Sequence, residues 1–200
     1  MIKNIIFDIG EVLIDFSWRE HMQELGFSES TIEALGKGWV CSPLWDELDR
    51  GAMPEEEALA LAKAALPEYE KEIDTFWSNP DGIVRCRKRS APWLRSLRER
   101  GYNVYLLSNY PHTLFEAHQK DFEFLPYTNG RVVSSYLGIM KPDRRIYEEL
   151  LSKYSLDAEE CIFIDDRQVN LDGAQALKIN TLLFRNMQQA IDELDKMLSE

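Results

Sequence analysis

The chain has 200 residues, with 23 Lys and Arg against 35 Asp and Glu, for a formal charge of −12. That length suits one hydrophobic core with a small appended subdomain. A composition of 44% hydrophobic and 29% charged residues excludes a disordered chain, collagen or a coiled-coil rod.

In chain order, Ile5-Ile6-Phe7 is the first short apolar run. A long stretch from Asp15 to Arg85 follows and reads as helical, in His21 to Leu25, Thr31 to Leu35, Pro54 to Leu66 and Tyr69 to Trp77. Glu55-Glu56-Glu57 opens the third of these, where acids complement the helix dipole. Pro92 to Gly101 is bracketed by Pro and Gly, as helices often are. Val104 to Leu107 and Arg131 to Val133 are further apolar runs. The helical pattern of Arg145 to Tyr154 precedes Ile162 to Ile164. Leu171 to Leu177 is helical again, before Thr181 to Phe184. The apolar runs are brief and do not alternate, which suits strands buried on both faces of a parallel sheet. Strand–helix alternation implies a doubly wound α/β fold. The stretch 15–85 is too long for a plain βα loop. It is expected to form a helical cap subdomain inserted after the first strand, over a core of residues 1–14 and 86–200.

Ligands in open α/β sheets bind beyond the carboxyl ends of the strands. The first run ends at Asp8, the second at Ser108-Asn109 and the fourth at Asp165-Asp166, while Gly138-Ile139-Met140-Lys141-Pro142-Asp143 opens a helix. Singly, each is a cap or a turn. Together they converge on one site. Asp8 and Asp166 would repel unless a cation or proton lay between them, and hard oxygen ligands suit Mg²⁺. Lys141 adds a compact positive charge. Ser108 and Asn109 offer donors to phosphate oxygens. A carboxylate nucleophile, a metal, a lysine and small donors make a site for phosphoryl transfer through an aspartyl-phosphate.

These four segments, in this order and with a helical insert between the first two, resemble the signature motifs of the haloacid dehalogenase superfamily. The resemblance implies a Rossmann-like sheet, Asp8 as nucleophile, Ser108 as a phosphate ligand and Lys141 steadying the charge of both. It implies metal ligation by Asp8, Asp166 and the Gly10 carbonyl, with Asp165 and Asn170 supporting from behind. Phosphatases of this superfamily usually carry a second Asp where this chain has Gly10, and glycine cannot move a proton. A positioned acid or base is worth about 10²–10⁴-fold. Asp8-Ile9-Gly10-Glu11-Val12-Leu13 is similar to a subgroup that includes bacterial glucose-1-phosphate phosphatase and the phosphatase domain of soluble epoxide hydrolases. Glu11 is the nearest replacement acid. An acidic leaving group, such as the anomeric hydroxyl of a sugar 1-phosphate, would lessen the need for one.

The expectation is therefore an Mg²⁺-dependent phosphatase for a small phosphorylated metabolite. The rival readings are a 2-haloacid dehalogenase, which needs no metal, and a weakly catalytic phosphate-ligand or partner-binding module. His112 is a weaker candidate for proton transfer, whereas His21 and His118 carry no assignment. Trp18, Trp39, Trp45 and Trp77 are expected in the interior of the insert, with one or two facing the site. Acids dominate Asp46 to Asp74, ten to three, whereas bases dominate Arg85 to Arg100, seven to one. The basic stretch is expected to be a solvated helix face and its lead-in, because aromatics do not interleave it as nucleic-acid binding requires. No apolar run approaches the roughly 20 residues of a membrane span, and the N-terminus lacks a signal peptide's apolar segment. Cys41, Cys86 and Cys161 show no paired spacing. A cytoplasmic location with reduced thiols, away from membranes and nucleic acids, is expected.

Overall fold

The computed structural model describes residues 1–199. Five strands form one parallel sheet: β1 (Asn4–Phe7), β4 (Asn103–Ser108), β5 (Gly130–Val133), β6 (Cys161–Asp165) and β7 (Asn180–Leu183), in the order β5-β4-β1-β6-β7. The register pairs Phe7 with Leu106 on one side and with Ile164 on the other. The chain fills the sheet outward from β1 to one edge, then returns to the far side of β1. That reversal opens a crevice at the carboxyl ends of β1, β4 and β6.

Alternation along the strands sorts the interior into two clusters. Ile5, Phe7, Val104, Leu106, Ile162 and Ile164 point to one face. Ile6, Tyr105, Leu107 and Phe163 point to the other. Helices α6 (Ser90–Glu99) and α10 (Met187–Ser199) cover the first face through Trp93, Leu97 and Leu194. Helices α8 (Arg144–Lys153) and α9 (Gln168–Gln175) cover the second through Ile146, Leu150 and Leu171. Each such apolar side chain contributes about 1.5–3 kcal/mol on full burial. The doubly wound expectation holds, and so do all five expected strands. Helix α7 (His112–His118) follows β4.

The insert departs from the expectation at its two ends. It enters through β2 (Ile14–Phe16) and leaves through β3 (Val84–Cys86), an antiparallel ribbon pairing Asp15 with Arg85. Three-residue strands whose partners lie so far apart in sequence carry no local signature. Between them run α1 (Trp18–Glu24), α2 (Glu29–Leu35), α3 (Pro43–Arg50), α4 (Glu55–Ala65) and α5 (Glu70–Ser78). A π-helical turn at Gly36–Val40 leads into α3. Trp39, Trp45 and Trp77 pack ring against ring with centroids 5.6–6.2 Å apart, and Trp39 also meets Phe76. This interior is continuous with the first sheet face.

Part of the basic stretch at 85–100 forms ion pairs. Arg85 meets Glu24 at 2.6 Å, Arg87 meets Asp15 at 2.7 Å and Glu11 at 3.2 Å, and Arg100 meets Asp195 at 2.6 Å. No described helix is long and apolar enough to cross a membrane. The three cysteines are unpaired.

Candidate active site

The predicted residues meet where the topology requires. Asp8 follows β1, Ser108 ends β4, Asp165 ends β6, and Lys141 comes from the loop before α8. Lys141 Nζ lies 2.8 Å from Asp8 Oδ2 and 2.7 Å from Asp165 Oδ2, with its side chain 1% exposed. Burial alone would lower the lysine pKa, but the two carboxylates and their hydrogen bonds outweigh it, and the net shift is upward. Burial also lifts Asp8, to about 7, against the pull of Lys141. Asp165 is fully buried and has further donors: the Arg167 N–H at 2.8 Å and the Asn170 carboxamide at 3.0 and 3.1 Å. Lys141 and these donors satisfy its charge. Asp166, by contrast, stays partly open to the cavity, and burial followed by the Asp165 charge raises its pKa.

Carboxylate oxygens of Asp8, Asp165 and Asp166 lie within 4.8 Å of one another. One lysine cannot neutralise three carboxylates. Asp8 and Asp166, facing one cavity, are a donor set that fits a hard divalent cation, and the Gly10 carbonyl stands at the same cavity.

Asn109 acts on the backbone. Its carboxamide donates to the Lys141 carbonyl at 3.0 Å and accepts from the Lys141 N–H at 2.8 Å. It clamps the lysine loop to the end of β4. Ser108 is fully buried, its hydroxyl 3.4 Å from the Asn109 carbonyl. Asn170 is buried at the start of α9, behind Asp165.

The turn after Asp8 is tight. Leu13 and Ile14 N–H groups both donate to the Ile9 carbonyl, and Glu11 sits at φ 54°. Left-handed geometry is uncommon for a residue with a Cβ. Glu11 is held there by its own carboxylate, which accepts from Phe16 N–H at 2.9 Å and pairs with Arg87. The nearest replacement acid is thus occupied at the base of the ribbon. His112 is exposed and packs edge-on against Tyr136, outside the cavity lining.

The cavity has a volume of about 450 Å³. Asp8, Lys141 and Asp166 form its floor. Ile14, Phe16, Val40, Trp45, Val84 and Leu114 form an apolar wall. Trp45 is the tryptophan of the insert that lines the cavity. Asp46, Asp49 and His118 are among the lining residues given no role from the sequence. Asp46 and Asp49 project from α3. His118 is buried between the Tyr110 hydroxyl, 2.7 Å from Nδ1, and the Pro80 carbonyl, 2.8 Å from Nε2. Burial lowers the His118 pKa and holds Tyr110 well above its ordinary value.

The family model described as haloacid dehalogenase-like hydrolase matches residues 2–178. The chain is 29% identical over 179 residues to the sesquiterpene phosphatase astK of Aspergillus oryzae, covering 88% of this chain and 86% of that protein. It is 26% identical over 214 residues to the D-ribitol-5-phosphate phosphatase of Bacteroides thetaiotaomicron, covering 100% of each. A solved HAD-family enzyme from Bacteroides thetaiotaomicron, in complex with magnesium and inorganic phosphate, matches with a TM-score of 0.67 and 26% identity over 92% of this chain and 94% of that one. Other curated relatives are longer: the chain spans 36% of a drimenol cyclase from Aspergillus calidoustus and 32% of rat bifunctional epoxide hydrolase 2. The strand-end carboxylates, their shared lysine and the match over nearly the whole chain agree, and the chain belongs to the haloacid dehalogenase-like hydrolases.

Proposed function

We propose that this hydrolase is a magnesium-dependent phosphatase for a small phosphomonoester, with Asp8 as nucleophile. The observation that carries the reading is Lys141 held between Asp8 and Asp165, with Asp166 free on the same cavity. Asp8, Asp166 and the Gly10 carbonyl would hold Mg²⁺, which when bound supplies positive charge to the phosphoryl oxygens. Lys141 favours the ionised form of Asp8 and orients one of its oxygens. Asp165 and Asn170 hold Lys141 and the start of α9. Ser108 would serve a phosphate oxygen, and Asn109 fixes the lysine loop. In this reading Asp8 attacks phosphorus in line, the alcohol leaves, and water releases phosphate from the aspartyl-phosphate. The insert 15–85 acts as a cap that excludes bulk water and selects the leaving group.

A sugar phosphate, such as a sugar 1-phosphate, suits Trp45 and Phe16 as a stacking wall, and a relative acting on ribitol 5-phosphate supports a polyol. A second reading, the phosphate of an apolar alcohol, is favoured by Ile14, Val40, Val84 and Leu114 on the same wall. The sesquiterpene phosphatase relative supports it. The test measures phosphate release from p-nitrophenyl phosphate and a panel of sugar, polyol and prenyl phosphates. Asp8→Asn should abolish turnover, and EDTA should abolish it reversibly. Undiminished hydrolysis by Asp8→Asn overturns the nucleophile assignment. Activity on a halo-acid that survives chelation would identify a dehalogenase instead.

A further inference from the structure

We infer that Asp49, on the cap helix α3, is the proton donor and acceptor that Gly10 cannot provide. The inference rests on the phosphatase reading above, with Asp8 as nucleophile.

Five carboxylates line the cavity: Asp8, Glu11, Asp46, Asp49 and Asp166. Asp8 and Asp166 are committed to phosphorus and the cation. Glu11 is tied to Phe16 N–H and Arg87. That leaves the two acids of α3, three residues apart on one helical face. Asp49 is the one anchored to the core. Its carbonyl accepts a hydrogen bond from the Ser134 hydroxyl, and Ser134 Oγ accepts the Tyr110 N–H at 3.0 Å. Tyr110 directly follows Asn109, the residue that clamps the Lys141 loop. A chain of hydrogen bonds therefore fixes the end of α3 to the loops that carry the catalytic groups. Gly51 completes the fit: it caps α3 at φ 66°, and a Cβ there would lie 2.5 Å from the Ser135 carbonyl oxygen. Only glycine permits that approach. Among the described residues, the Asp49 carboxyl has no ion-pair or hydrogen-bond partner and opens onto the cavity. Burial first, then the charges of Asp46 and Asp8, push it up to about 8, while Lys141 and Arg167 pull the other way. Tyr110 also senses its charge. Its surroundings thus favour the protonated form, as a donor requires.

The two half-reactions balance. Asp8 oxygen bonds to phosphorus, the bond from phosphorus to the leaving oxygen breaks, and that oxygen takes the Asp49 proton, leaving an alcohol and the Asp49 carboxylate. Water then bonds to phosphorus and gives its proton to Asp49. The bond from phosphorus to Asp8 breaks, and its electron pair restores the Asp8 carboxylate.

The test compares leaving groups. In the wild type, kcat/KM should depend only shallowly on leaving-group acidity across aryl and alkyl phosphates. In Asp49→Asn the dependence should steepen, with kcat/KM falling about 10²–10⁴-fold on an alkyl phosphate and less than about tenfold on p-nitrophenyl phosphate. That variant should also give a stoichiometric burst of p-nitrophenolate, with a phosphorylated protein seen by intact mass, because the second half-reaction has lost its base. The Gly10→Asp change, at a position with nothing within 4 Å of a new Cβ, should restore the alkyl phosphate rate in the Asp49→Asn background. Asp46→Asn should leave the leaving-group dependence unchanged. A steep dependence already present in the wild type overturns the inference, as does an equal loss on both substrates in Asp49→Asn. A burst that Asp8→Asn does not abolish points instead to failure of the nucleophile reading.

Discussion

Replacing Lys141 by Met deletes the ammonium group while keeping most of the stem's volume. Nζ lies 2.8 Å from Asp8 and 2.7 Å from Asp165, with the side chain 1% exposed. Breaking a buried pair from one side leaves uncompensated charge and costs about 3–5 kcal/mol. For a protein of 150–250 residues, each kcal/mol shifts Tm by about 2–4 °C, so Lys141→Met should lower Tm by roughly 6–20 °C. The pH dependence follows from linkage. Without the ammonium, nothing offsets the burial that lifts Asp8, so its folded-state pKa stays above its unfolded one. The penalty therefore grows as pH rises and fades as pH falls toward 4. The assay is thermal unfolding by circular dichroism in EDTA, at pH 5 and pH 8, so that no cation replaces the lysine. The added change Asp165→Asn should recover a large part of the loss, because the two sites share a partner. A drop of less than about 1 kcal/mol, or one equal at the two pH values, would refute the reasoning.

Three further outcomes are expected. Asp49→Asn should match the parent Tm near pH 4 and exceed it at pH 9, because a carboxyl raised to about 8 destabilises the fold increasingly as pH climbs from its unfolded value; identical differences at both pH values would contradict this. Asn109→Ala removes both hydrogen bonds to the Lys141 backbone, so a loss of about 1–3 kcal/mol in urea unfolding should accompany a fall in kcat larger than any rise in KM. Gly51→Ala brings a methyl group against the Ser135 backbone at a left-handed position, so kcat should fall as α3 is displaced; unchanged kinetics would show that the end of α3 does not have to sit there.

The parallel sheet was legible because its strands are short, mostly apolar runs, the three central ones buried on both faces. The candidate-site residues were legible because the topology sends them to strand ends: Asp8, Ser108 and Asp165 each close a run. Other features depend on contacts between distant segments. The ribbon of Ile14–Phe16 and Val84–Cys86 is too short to have a pattern, and its pairing is purely tertiary. Helix α3 does carry local signals: Ser42 caps it, Pro43 opens it and Gly51 closes it. Asp49 nevertheless has no motif around it, and the Ser134 tether and the Gly51 contact that fix its end of α3 join segments distant in sequence. His118 and Tyr110 likewise find each other and Pro80 through packing alone. The double engagement of Asn109 with the Lys141 backbone is equally invisible in Ser108-Asn109-Tyr110-Pro111.

The distribution of indoles gives the molecule a built-in optical reporter. Four of the five tryptophans (Trp18, Trp39, Trp45 and Trp77) belong to the insert, and Trp93 alone sits on the sheet side. Intrinsic emission is therefore dominated by the insert, and the Trp39–Trp45–Trp77 contacts let excitation pass among them. Trp45 faces the cavity, so whatever fills that space alters the light coming from the whole cluster. Far-ultraviolet dichroism, by contrast, sums over both parts of the chain. Comparing the two signals during unfolding asks whether the continuous apolar interior melts as one cooperative body.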